Sequence, residues 1–267
     1  MRGLSTVADA VVFLLLVSAA AVTVTVPGDG TVPPGADGRA ELLATTTLTV
    51  EYRLDGSGRD GVDRVAHGTA AALVARAAVA NARIDGRRIS RSGTRFARAV
   101  QQRLAERLDP GTHLRARWVP YEGAPIRGSV AVGSRPPPTA DVTAAVVTVP
   151  VGPAAGRDAG SATYRSLAGS LARATTDRFL PATGAAVPTV GSTVRTDIRQ
   201  RYRRLAGRDG PVEQFRGGNV SGATAATRRS LQRRLLGDIR REFDGPRTAA
   251  RELESRTVTI TVRRWER

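Results

Sequence analysis

Few side chains in this sequence are placed to do covalent chemistry. The 267 residues include two histidines, His67 and His113, and no cysteine. The histidines fall on separate segments and have no ligand-spaced histidine or cysteine partner, so each reads as an ordinary structural or surface side chain. Without cysteine there is no disulfide, no thiolate metal site and no Cys nucleophile. No Gly-x-Ser-x-Gly elbow or Ser-Lys arrangement occurs. A chain without lysine cannot build the Gly-x4-Gly-Lys-Ser/Thr loop that cradles phosphate. No spacing selects a pair of carboxylates. The expectation is a non-enzymatic protein with no catalytic residue, no metal ligand and no cofactor.

Two single residues keep a chemical interest. Asp9 is the one acid among residues 1–26. Asn219, in Asn219-Val220-Ser221, is an N-glycosylation sequon read as lying in a loop.

Asp9 belongs to the most informative stretch. From Ala10 to Val26 the chain is apolar apart from Ser18, Thr23 and Thr25. A helix started at Leu4 would run about 20 residues, or roughly 30 Å, enough to span a bilayer core. Three readings compete. Arg2 followed by an apolar run and Ser18-Ala19-Ala20-Ala21 fits a cleaved secretory signal. The same run fits a plain uncleaved anchor. Arg2-Gly3 before Leu4 and a single acid resembles an archaeal type IV pilin signal, in which cleavage after Gly3 leaves Leu4 as the new N-terminus. Asp9 stands five residues after Leu4, one beyond the offset of bacterial pilins. A carboxylate there needs the interface or a cation, and the α-amine of Leu4 in a neighbouring subunit would supply one. Arg2 before the span favours a cytoplasmic N-terminus, which places residues 27 to 267 outside the cell.

The remaining chain is strongly basic, with 41 Arg or Lys, every one an Arg, against 24 acids and a net charge of +17. From Arg195 to Arg267 there are 19 Arg and 9 acids, net +10. Such a surface attracts polyanions at low ionic strength. Its basic stretches hold almost no aromatic residues for stacking, which argues against a nucleic-acid partner.

The elements that must carry these residues follow from pattern. Residues 27–38 (PGDGTVPPGADG) read as a linker, and residues 39–267 as one mixed domain. Thr46–Arg53 alternates as a strand, followed by a loop at Asp55–Asp60. Ala66–Ile84 reads as one Ala-rich buried helix ended by Asp85-Gly86. Thr94–Leu108 reads as an amphipathic helix with Thr94 as its N-cap. Leu114–Val119, Gly128–Val132 and Val142–Val149 are expected strands. Pro136-Pro137-Pro138 before the last implies an extended crossing. Ala159–Leu180, Val194–Leu205 and Ser221–Phe243 are expected helices, with Gly217-Gly218 as a turn. The helix from Ser221 sets Leu231, Leu235, Leu236 and Ile239 on one stripe, with arginines around the rest. Gly245-Pro246 ends it and a short helix to Leu253 follows. Thr257–Trp265 closes the chain as a strand, expected to pair with the strand near residues 46–53.

The segments RGLSTVADAVVFLLLVSAAAVT at residues 2–23, ANARIDGRRISR at 80–91, RARWVPYEGAPIRGSVAVG at 115–133 and TVTITVRRW at 257–265 resemble an uncharacterised family of haloarchaeal membrane-anchored proteins. That family occurs among genes of type IV pilus-like secretion systems. The resemblance covers most of the chain and brings no catalytic motif. It implies a structural or accessory role in such an apparatus at the cell surface, with membrane lipid and pilin-like or secretion-system subunits as partners. Gly3, Leu4 and Asp9 would serve processing and assembly. The fold class expected is α+β, an N-terminal transmembrane helix followed by an antiparallel sheet and several helices. The alternative is a protein that holds a polyanion, nucleic acid or an acidic surface polymer, on its arginines.

Overall fold

A computed structural model of the chain describes residues 23–25, 35–54, 62–151, 162–180, 192–207, 211–253 and 257–266. These build a mixed α+β fold. Its antiparallel sheet has the order β1-β8-β9-β6-β7-β4-β5, and β2 and β3 form a separate hairpin. The strands are β1 (Thr23–Thr25), β2 (Thr47–Leu54), β3 (Val62–Thr69), β4 (Arg83–Ile84), β5 (Arg87–Arg88), β6 (Thr112–Trp118), β7 (Ile126–Val132), β8 (Val142–Pro150) and β9 (Thr257–Trp265). The helices are α1 (Ala36–Thr45), α2 (Ala70–Ala80), α3 (Arg91–Ala105), α4 (Tyr164–Phe179), α5 (Ser192–Ala206), α6 (Val212–Arg216), α7 (Val220–Glu242) and α8 (Pro246–Glu252).

Alternation fixes the sheet. Val258, Ile260 and Val262 of β9 are buried, as are Leu114, Ala116 and Trp118 of β6 and Ala145, Val147 and Val149 of β8. Cross-strand register places these residues on one face, against α1 and α2. The other face carries Arg115, Arg117, Thr259, Thr261 and Ser129, and no described helix packs on it. Helix α2 is built almost wholly from buried Ala, Val and Leu. Its approach is so close that a Cβ on Gly128 would overlap the carbonyl oxygen of Ala78.

Several expectations are corrected. Thr23–Thr25, which the expected membrane helix would include, is an edge strand on β8, with Thr23 opposite Thr148, and the rest of that run lies outside the described residues. The β-branched alternation Thr-Val-Thr favours extended backbone there. Helix α1 starts inside the supposed linker, because Ala36 and Ala40 are fully buried and offset the weak propensity of Asp37 and Gly38. The Ala-rich stretch is not one helix. Its first residues are the end of β3, Thr69 caps α2, and Arg83–Arg88 is a hairpin. That hairpin turns on Asp85 and Gly86, both at positive φ (49° and 74°), the two-residue geometry that Asp-Gly favours.

Helix α3 begins at Arg91 under a Ser90 cap, and Thr94 bonds back to the Ser90 carbonyl instead of capping. Strand β9 pairs with β6 and β8, and β2 pairs with β3, so the strands near 46–53 and 257–265 do not meet. The start of the expected helix at Ala159 and the loop at Asp55–Asp60 lie outside the described residues. The expected strands from Leu114 to Val149, the helices α5, α7 and α8, and β9 stand within a few residues of where the pattern puts them.

Candidate anion-binding surface

The sheet half and the helical half (α4 to α8) meet at one end of the sheet. Phe179 of α4 stacks tilted on Trp118 with centroids 6.5 Å apart, and Phe243 meets Tyr121 edge-on at 5.6 Å. Arg178 donates to the Val151 carbonyl just past β8, and Arg234 of α7 pairs with Asp85 in the β4–β5 turn. The tightest junction is Asp197 of α5. It accepts from the Arg91 N–H at 3.0 Å, the Ser92 hydroxyl at 3.1 Å and Arg201 at 2.6 Å. Burial opposes charge on this carboxyl, but Arg201 and these N–H and O–H donors outweigh it and hold the group below the ordinary carboxylate range. The first turn of α3 is therefore capped from the other half of the molecule.

This junction brings two arginine rows together. On α3, Arg91, Arg95 and Arg98 recur at i, i+4 and i+7 and share one face; on α5, Arg195, Arg199 and Arg203 recur every fourth residue. Two open cavities of about 690 and 550 Å³ lie along them and share Arg91 in their linings. The first is walled by Arg87, Arg199 and Arg203, the second by Arg88 and Arg98. Glu51 and Asp85 are the carboxylates in the two linings, and Arg234 already answers Asp85. Among the described residues no carboxylate lies within 4.0 Å of the side chains of Arg87, Arg88, Arg91, Arg98, Arg199 or Arg203. The Nε of Arg204, in the same wall, is buried with no hydrogen-bond partner among the described residues.

Guanidinium groups present planar, paired donors to phosphate, sulfate or carboxylate and cannot act as nucleophile or base at neutral pH. The arrangement is thus suited to holding an anion. Tyr52 is the aromatic residue in these two linings, and it is engaged with Phe96 at 5.1 Å, so no row of free rings is offered to bases.

The structure redistributes the residues singled out in the sequence. Gly3, Leu4 and Asp9 lie outside the described residues. Asn219 stands, as expected, in the short connection between α6 and α7, where it also caps α7, its Oδ1 accepting from the Gly222 N–H at 2.8 Å, with the residue exposed. His67 is exposed on β3 and hydrogen-bonded to Thr49, while His113 is buried on β6. The arginines of α7, which the sequence offers as a polyanion surface, are partly paired with carboxylates, Arg228 with Asp177 and Arg234 with Asp85 across elements and Arg241 with Asp238 along the exposed helix. Six arginines without a carboxylate partner among the described residues, on α3, the β4–β5 hairpin and α5, are the ones that line the two cavities. The spacing within each helix is visible in the sequence, but the meeting of the two helices is not.

Residues 8–265 match a protein family of unknown function, DUF7284, and the chain belongs to that family. No curated protein and no solved structure matches it.

Proposed function

We propose that this DUF7284 member is a non-enzymatic, membrane-anchored component of the cell surface whose domain holds an anionic polymer along the α3–α5 arginine groove. The observation that carries the binding role is the convergence of Arg87, Arg88, Arg91, Arg98, Arg199 and Arg203 without matching carboxylates. The anchor rests on the apolar run. With β1 taking Thr23–Thr25, residues 4–22 remain for a helix, about 28 Å at 1.5 Å per residue and still close to a bilayer core. Among the described residues no helix is long and apolar enough to cross a membrane, so the role falls to that run. The family match begins at Ala8, inside the run, and so includes most of it.

The test is retention of the full chain, in neutral detergent, on immobilised polyphosphate as salt is raised. Retention should fall log-linearly with salt, and Arg199→Gln with Arg203→Gln should flatten the slope by about 2, one for each phosphate left without its guanidinium. An unchanged slope in the double variant rejects the groove.

A second reading is favoured by the direct passage of the apolar run into an edge strand, with no long spacer between rod and domain. It is the structural or accessory subunit of a pilus-like or secretion apparatus, processed after Gly3, with Asp9 meeting the Leu4 amine of a neighbour. Mass spectrometry of the mature N-terminus decides it: a chain starting at Leu4 supports this reading, and one starting after Ala21 or left intact removes it.

A further inference from the structure

A third cavity, of about 400 Å³, lies in the seam itself; it shares Tyr52 with the groove but none of the groove's arginines. Tyr52, Leu54, Val79, Phe96, Val151 and Phe179 give it apolar walls, Ser90 and Ser92 add hydroxyls, and three guanidiniums line it, Arg76, Arg178 and Arg201. Arg201 is committed to Asp197, Ser92 and the Phe179 carbonyl. The other two have no carboxylate partner among the described residues. Arg76 stands 5.5 Å over the Phe96 ring, and Arg178 has the Val151 carbonyl as its described partner. Burial alone depresses the pKa of Arg178, the mark of a cation drawn out of water without a neutralising anion. A desolvated charge left unpaired is costly, and an anion seated beside it removes that cost.

The position of this cavity says which anion. Strand β1 runs antiparallel to β8 with Thr23 opposite Thr148, so the apolar run joins the domain at the end of the sheet where β8 finishes. Val151, in the cavity wall, is three residues beyond Thr148, about 10 Å at 3.3 Å per residue. The cavity therefore lies near the point where the proposed membrane helix meets the domain. Its lining pairs cations with apolar walls, which suits a ligand with a charged head and a greasy continuation better than a free ion.

We infer that this cleft seats the phosphate headgroup of an anionic lipid from the membrane in which the chain is anchored, with Arg76 and Arg178 as its ligands and the apolar walls against its glycerol and upper acyl carbons. The inference rests on the anchored reading but not on the groove.

The experiment places the full chain in nanodiscs of equal neutral and anionic phospholipid, extracts it gently, and identifies retained lipid by native mass spectrometry. One anionic lipid should stay with the wild-type chain. Arg76→Gln, an exposed helix position that folding tolerates, should cut retention about tenfold, and Arg178→Gln at least as far. The groove variant Arg199→Gln/Arg203→Gln should retain lipid as the wild type does. Failure of the chain to enter the discs rejects the anchor. Entry with equal retention of neutral and anionic lipid, or loss of lipid in the groove variant alone, overturns the cleft. Full displacement of the lipid by inorganic phosphate also overturns it, since it would make the ligand a soluble phosphate.

Discussion

In the sheet half, Ala77, Ala78, Ala116 and Gly128 let α2 settle onto the strands until backbone meets backbone, whereas in the helical half Leu231, Leu235, Ile239, Tyr202 and Phe215 fill the space between helices with large side chains. Both are well buried, but they depend on different physics. Close approach of small residues fixes distance by steric contact and buries little apolar area per residue. Bulky residues bury much area and leave holes when trimmed. The seam between them depends on neither alone. It is joined by a carboxylate, guanidiniums and hydroxyls with a few aromatic contacts, and that is where unpaired cations gather.

The contrast can be broken from either side. Leu235→Ala removes a fully buried side chain from α7 and should cost the most, about 4 kcal/mol by denaturant unfolding. Hydrogen exchange should show protection lost first in α4, α5 and α7, with β6 and β9 holding longer; uniform loss would mean the halves unfold as one. Gly128→Ala acts on the other half by overlap and not by a cavity. The new methyl collides with the Ala78 carbonyl, for about 3 kcal/mol, and Gly128→Ser should be no better. A tolerated alanine there would show that α2 sits further from the sheet than described.

How much of this is legible in the sequence follows the same division. Strands β6 to β9 can be read because Val, Ile and Leu alternate with Arg, Thr and Ser at period two, and α7 because its leucine stripe has period 3.6. The Ala-rich stretch cannot be parsed. Alanine and glycine fit strand, helix and turn alike, so β3, the Thr69 cap and the β4–β5 hairpin read together as one helix. Helix α1 is hidden for the same reason, its burial resting on Ala36 and Ala40. The arginine rows are present as spacing, but their meeting depends on Asp197 reaching the α3 N-terminus from more than a hundred residues away. No local pattern encodes that contact.

That contact sets the third effect. Asp197→Asn keeps the shape but removes the charge that Arg201 and the Arg91 N–H address, at about 2 kcal/mol. Because the folded carboxyl lies below its ordinary value of 3.8, its contribution is complete above that pH and is lost as pH falls through the folded value. The variant should therefore lose the acid-side slope below pH 4. Equal acid slopes in variant and wild type would remove Asp197 as the latch.

The smallest effect tests the exposed sheet face, where His113 is buried in line with Arg115 and Arg263. Burial first, then Arg263, Arg135 and Arg115, push its pKa below the ordinary 6.5. The unfolded chain then takes up the proton before the folded one. The stability this contributes is present above pH 6.5 and declines as pH falls toward the folded value. Asp197 stays charged throughout that window, so the two slopes separate. His113→Gln should flatten the curve between pH 6.5 and 5.5 while leaving anion binding in the groove intact, since His113 lines neither groove cavity. If the slope survives the substitution, the arginines of the open face do not press on His113, and the face is more open to water than its burial indicates.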